Sequence, residues 1–173
     1  TRVLIVGAGE AGQHLGWQLQ NGTLAERHHL VGFVDDDARK HGMLIHGEAG
    51  HEELVLAHTS RHEVVGTTLD GQVQWTIPWP KESGIYAKAE EYNPTAVALA
   101  PDGRLFVADG YGNSCVHKYT PDGRHLTCWG TTGTDPGQFN IVHNIVTDEE
   151  GWVYVADREN HRVQVFDGNG RYE

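Results

Sequence analysis

The chain has 173 residues, 38% hydrophobic and 21% charged, proportions that exclude wholesale disorder and allow a real core. With 13 Lys+Arg against 24 Asp+Glu the formal charge is -11, and no basic patch reverses that field, so nucleic acid is not expected as a partner. The apolar runs at 2–8 and 30–34 fall far short of the roughly 18 residues that cross a bilayer, so no membrane span is expected. The chain starts at Thr1 with no basic, then apolar, leader to be read, and two cysteines make no disulfide framework. The compartment is left open, with the cytoplasm as the default expectation.

In chain order, Val3-Leu4-Ile5-Val6 reads as a buried strand, and Leu30-Val31-Gly32-Phe33-Val34 as a second. Between them Ala11, Leu15 and Leu19 recur at helical spacing. Gly7-Ala8-Gly9-Glu10-Ala11-Gly12 therefore stands where a strand passes into a helix. There Gly7 permits a tight turn, Gly9 lets backbone amides approach a pyrophosphate, and Gly12 lets helix pack on strand. Asp35, at the end of the second strand, stands where a ribose-binding carboxylate belongs. This opening resembles the nucleotide-binding start of bacterial nucleoside-diphosphate-sugar epimerase and dehydratase proteins. The resemblance implies NAD or a nucleotide sugar as ligand, held by Gly7, Gly9, Gly12 and Asp35. The alternative is a βαβ cap whose glycines only allow close packing.

From residue 43 the helical period gives way to short β segments separated by turns at Asp70-Gly71, Asp102-Gly103, Asp122-Gly123 and Glu150-Gly151. Leu105-Phe106-Val107-Ala108-Asp109 matches Val153-Tyr154-Val155-Ala156-Asp157 about 48 residues later, and Leu54-Val55-Leu56-Ala57-His58 is a weaker earlier copy. A period of that length with about four short strands per unit is the signature of β-propeller blades. The segment 78–94 reads as an inter-blade loop. Asp109 and Asp157 recur at equivalent places, as carboxylates that stabilise a turn.

The run Pro136-Gly137-Gln138-Phe139, Val153-Tyr154-Val155-Ala156-Asp157 and Asn160-His161-Arg162-Val163-Gln164-Val165-Phe166 resembles an NHL-repeat blade. Asp109-Gly110-Tyr111-Gly112-Asn113-Ser114, with Val142-His143 and Ala156-Asp157-Arg158-Glu159-Asn160, is similar to peptidyl-α-hydroxyglycine α-amidating lyases. That resemblance implies Tyr111 as catalytic base and His143 as a ligand of an axial zinc ion. On the repeat alignment Thr95 and His46 hold the place of His143 one and two blades earlier, which makes His46 a second candidate ligand. The bland alternatives are channel-mouth histidines solvated by water and a turn aromatic at Tyr111. His28, His29, His51, His58 and His62 show no ligand pattern. Cys115 and Cys128 flank the turn Thr120-Pro121-Asp122-Gly123; if those four form the loop, Tyr119 pairs with Arg124 and the two cysteines face each other.

The expected fold is mainly β: an incomplete NHL-type β-propeller of two to three blades preceded by a short α/β Rossmann-like βαβ unit. The expected divisions are 1–42 for that unit and 43–173 for the blades, approximately 43–93, 94–135 and 136–173. Three blades do not close a ring, so the chain reads as a fragment or mosaic, catalytically incomplete alone and prone to self-association through open blade edges. The functions in view are a zinc-dependent amidating-lyase relative, a non-enzymatic module that binds a peptide or small molecule, and nucleotide binding by the opening.

Overall fold

Runs rich in β-branched and aromatic residues, separated by Gly turns, fold here into separate small sheets. A computed structural model describes the backbone of three early strands and, in full, residues 53–68 and 71–173. The early strands are β1 (Arg2–Val6), β2 (His29–Val34) and β3 (Met43–His46). β1 and β2 pair in parallel, Arg2 opposite His29. Gly7, Gly9, Gly12 and Asp35, together with the predicted helix between the strands, lie outside the described residues.

Three antiparallel sheets follow. The first orders β3 with β4 (Glu53–His58), β5 (Glu63–Thr68) and β6 (Val73–Pro78). The second orders β7 (Ala96–Leu99), β8 (Leu105–Asp109), β9 (Cys115–Tyr119) and β10 (His125–Trp129). The third holds β11 (Val142–Thr147), β12 (Val153–Asp157) and β13 (Arg162–Phe166), with an isolated bridge from Phe166 to Tyr172 at its outer edge. The repeated Leu-Val-Leu-Ala-His, Leu-Phe-Val-Ala-Asp and Val-Tyr-Val-Ala-Asp segments are each the second strand of their sheet. Gly103 and Gly151 close equivalent hairpins, β7–β8 and β11–β12, and Gly123 closes β9–β10, all in the left-handed region at φ of 83, 86 and 82°, a conformation in which a side chain would be strained.

Sheets two and three meet through their first strands. The Thr95 hydroxyl donates to the Val142 carbonyl at 2.6 Å, and the Thr147 hydroxyl to the Leu99 carbonyl at 2.7 Å. Because the start of β7 meets the start of β11 and their ends also meet, the two strands run side by side in one direction, as neighbouring inner strands of a propeller do. Sheets one and two meet through the 59–61 turn, whose Thr59 hydroxyl donates to the Pro94 carbonyl at 2.6 Å. Two apolar clusters fill the gaps. Phe106, Val116, Phe139, Val142, Val155 and Phe166 lie between sheets two and three. Val55, Val64, Tyr86, Tyr92, Val107 and Tyr119 lie between sheets one and two.

The β9–β10 hairpin departs from the expected register. Tyr119 pairs with His125, and Cys128 pairs with His117 rather than Cys115. Arg124 belongs to the loop, where its carbonyl accepts from Thr120 N, and a one-residue bulge at Leu126 then shifts the strand. Both cysteines are free thiols. Burial pushes both thiols up, and Cys115 is the more enclosed. In unreduced protein two thiols are expected to titrate in denaturant, with Cys128 alkylated first under native conditions. A count of zero before reduction would restore the bond.

Candidate functional site

Asp157 and Asp109 end the second strands of their sheets, and both are fully buried. At Asp157 four donors converge: Asn140 N at 2.6 Å, Asn160 Nδ2 at 2.8 Å, Arg162 Nε at 2.8 Å and Gln164 Nε2 at 3.1 Å. Asp109 keeps the backbone contact, accepting from Asn93 N, the match of Asn140 N, at 2.8 Å, and accepts from Asn113 N, where Asn160 gives its side chain, at 2.9 Å. Its side-chain partners differ, because Cys115 and His117 stand where the third sheet has Arg162 and Gln164. Tyr86 arrives instead from the 78–94 segment and donates its hydroxyl to Asp109 Oδ2 at 2.6 Å. With no guanidinium beside it, the Asp109 carboxyl is pushed up, chiefly by burial.

The same Tyr86 oxygen lies 2.6 Å from His117 Nε2, and His117 Nδ1 lies 3.1 Å from His125 Nε2. Tyr86 has one proton and gives it to Asp109, so His117 must carry its own on Nε2, leaving Nδ1 as a lone pair toward His125. Cys115 Sγ lies 3.3 Å from His117 Nε2. Burial first, and His125 second, push the His117 imidazole down from 6.5 to about 3.

A depressed histidine means that the unfolded chain takes up a proton in this window which the folded chain refuses. Stability from His117 is therefore full above about 6.5 and is lost as pH falls toward about 3. His125, also pushed down by burial, acts in the same sense, whereas Asp109 acts in the opposite one. Urea midpoints are expected to fall across that window, the His117 part by at most about 1.4 kcal/mol per pH unit. His117→Gln, which copies Gln164 of the third sheet, should flatten the slope; an unchanged slope would refute this origin.

Tyr111 and His143 come together at the other feature of interest. Tyr111 lies in the β8–β9 connection and is 44% exposed, and His143 is the second residue of β11. Their rings meet edge to face with centroids 6.2 Å apart. Gly110 makes this approach feasible: a Cβ there would fall 1.9 Å from the Val142 carbonyl oxygen, so only glycine lets the connection lie across β11.

His46 is differently placed. It ends β3 opposite Glu53, at the start of β4, whereas Val142, next to His143, pairs with Asp157 at the end of β12. The two histidines thus stand at opposite ends of the first strands of their sheets. Met43, the first residue of β3, already pairs with Leu56, two residues before the end of β4, so the position that matches His143 falls before Met43, outside the described residues. Among the described residues two groups of three ligand atoms converge, His117 with His125 and Cys128, and Asp109 with Cys115 and His117. Neither includes His143, so an ion centred on that imidazole needs ligands beyond the described residues.

Sequence reasoning missed Tyr86, His117 and His125. The signal was present in the repeat itself, where Cys115 and His117 break the pattern set by Arg162 and Gln164.

A family model for the NHL repeat matches residues 92–119 and 139–166. Peptidyl-glycine alpha-amidating monooxygenase B of Xenopus laevis is 43% identical over 79 residues, which cover 42% of this chain and 9% of that protein. Peptidyl-alpha-hydroxyglycine alpha-amidating lyase 1 of Drosophila melanogaster is 36% identical over 89 residues, covering 46% of this chain and 16% of that protein. NHL repeat-containing protein 3 of Homo sapiens is 40% identical over 109 residues, covering 61% and 31% respectively. The chain thus spans less than a third of each of these relatives. In the solved structures, virginiamycin B lyase from Staphylococcus aureus superposes with a TM-score of 0.54 at 11% identity, over 77% of this chain and 39% of that one; this likeness is one of fold. The chain carries NHL repeats in a mainly β, propeller-type arrangement and is related to amidating-enzyme proteins and to NHL repeat-containing protein 3.

Proposed function

We propose that the repeat region supplies part of a reaction centre of the amidating-lyase type, with Tyr111 as its base and His143 as one ligand of a zinc ion. The observation that supports this reading is the Tyr111–His143 pair. Residues from two different sheets, both singled out by the lyase-like motif, meet at one end of adjacent inner strands with the tyrosine open to solvent. Zinc, when bound, would polarise substrate oxygen. Among the described residues His143 is the imidazole this reading offers it.

The bond to be broken in a peptidyl-α-hydroxyglycine joins the amide nitrogen to the carbon that bears the hydroxyl. A base that takes the hydroxyl proton lets a carbonyl form as the C–N bond breaks, and the nitrogen leaves after gaining a proton. The products are a peptide amide and an α-oxo acid. In this reading Tyr111, as its phenolate, takes that proton and returns it to the leaving nitrogen, and the support for it is that Gly110 lets the connection lie against β11 beside His143.

The test uses a peptide that ends in α-hydroxyglycine, with zinc present. Saturable shifts of the His143 imidazole resonances are expected, weakened by Tyr111→Phe, with α-oxo acid release as the second readout. Binding that persists unchanged in Tyr111→Ala and His143→Ala would overturn the assignment. Binding that depends on both residues without any product would replace it with the non-enzymatic reading, a propeller surface that holds a peptide.

A further inference from the structure

We propose that the β9–β10 hairpin carries a second, unrelated metal site, in which His117 Nδ1, His125 Nε2 and Cys128 Sγ bind a thiophilic divalent cation, zinc. One ligand atom from each of these residues lies within 4.8 Å of the others', and His117 Nδ1 and His125 Nε2 are 3.1 Å apart. In a tetrahedral zinc site with bonds of about 2.0–2.3 Å, neighbouring ligand atoms stand about 3.3–3.8 Å apart. The nitrogens need to part by a few tenths of an ångström, and the sulfur, within 4.8 Å, to close by at most about 1 Å.

The bulge creates the site. His125 and Cys128 are three apart, and on a regular strand they would point to opposite faces. The extra residue at Leu126 resets the phase, so that His125 pairs with Tyr119 and Cys128 with His117. Because Tyr119 and His117 share one face of β9, all three ligands converge on it. Leu126 itself is turned to solvent.

The surroundings prepare His117 as a ligand. Metal-bound histidines commonly give their second N–H to an oxygen acceptor, a carboxylate, a carbonyl or water, that fixes the tautomer. Here Nε2 faces the Tyr86 hydroxyl at 2.6 Å, which donates in turn to the buried Asp109 carboxylate at 2.6 Å. That chain fixes the tautomer and directs the Nδ1 lone pair at the site. Two imidazoles and a thiolate suit zinc, and the half-buried His125 and Cys128 leave room for entry and for a fourth ligand such as water. The neighbouring group of Asp109, Cys115 and His117 is a poorer candidate. It is fully enclosed, and Tyr86 and backbone amides already occupy its oxygen and nitrogen atoms.

Cobalt(II) added to the full chain distinguishes this site from an ion at His143, because only thiolate ligation gives a sulfur-to-cobalt charge-transfer band. The band is expected in wild type, in His143→Ala and in Cys115→Ser, and one equivalent of zinc should displace it. Cys128→Ser should abolish it, and Tyr86→Phe should weaken binding roughly 10–100-fold through the outer shell. His125→Gln, at a partly exposed position, provides a ligand variant that keeps the hairpin fold, and it too should lose the band. Absence of the band in wild type would overturn the proposal, as would its survival in Cys128→Ser or its loss in Cys115→Ser. Loss of zinc in His143→Ala with the band retained concerns the lyase-type centre alone.

Discussion

Asp157→Ala is expected to lower the unfolding free energy by about 3–5 kcal/mol, since removing one partner of a buried ion pair leaves the other uncompensated. The carboxylate is fully buried and serves four donors from three segments, Asn140 N, Asn160 Nδ2, Arg162 Nε and Gln164 Nε2. The Arg162 guanidinium also donates to the carbonyls of Thr134, Asp135 and Gln138, so the loop before β11 is gathered onto the same group. Arg162 keeps 30% exposure, which lets water reach the stranded cation and points to the lower end of the range. Asp157→Asn keeps an acceptor and should cost only about 1–2 kcal/mol. Urea denaturation of both variants measures this, and an alanine variant within about 1 kcal/mol of wild type would show that the loop is held by other means. Asp109→Ala should be milder, because no guanidinium is left unpaired there.

Phe139→Ala is expected to cost about 3–5 kcal/mol. The ring is fully buried and packs, tilted, against Phe166 of β13 with centroids 5.6 Å apart. The ring also lies against Gly130, just past β10, where an added Cβ would come within 2.4 Å of a ring carbon. Phe139 thus locks the last strand of the second sheet onto the third, and its loss leaves a cavity that two separate sheets cannot collapse to fill. Phe139→Leu should recover most of the loss, to within about 1.5 kcal/mol of wild type. Equal costs for Ala and Leu, read from thermal and urea unfolding, would mean that ring shape rather than volume sets the energy.

The repeat was legible because Leu105–Asp109 recurs as Val153–Asp157, and because Asp-Gly and Glu-Gly turns mark the hairpins. Val153 and Val155 sit inside while Tyr154 is only partly covered, and the left-handed glycines fall where the dipeptides are. The pairing of Tyr111 with His143 was legible only through resemblance, since nothing in the local sequence says that the β8–β9 connection lies across β11. The Cys115–Cys128 register was missed because a bulge at Leu126 leaves no composition mark. The segment 78–94 reads as an inter-blade loop, and the burial of its Tyr86 and Tyr92 is decided by the gap between two sheets, which no local pattern shows. The end of β3 at which His46 stands depends on strand register, which a count of whole repeat periods does not resolve. The nucleotide-type reading of Gly7, Gly9, Gly12 and Asp35 remains a sequence expectation, to be tested by titration with NAD or a nucleotide sugar.

The meeting of Tyr111 and His143 across two sheets underlies the functional reading, and proton–proton nuclear Overhauser contacts in the full chain measure it most directly. Cross-peaks between the Tyr111 ring and the His143 imidazole are expected, accompanied by contacts from the Thr95 methyl to Val142 and weakened when Gly110→Ala forces the connection off β11. Cross-peaks from Tyr111 confined to its own sheet, with none to His143 or Val142, would contradict the account.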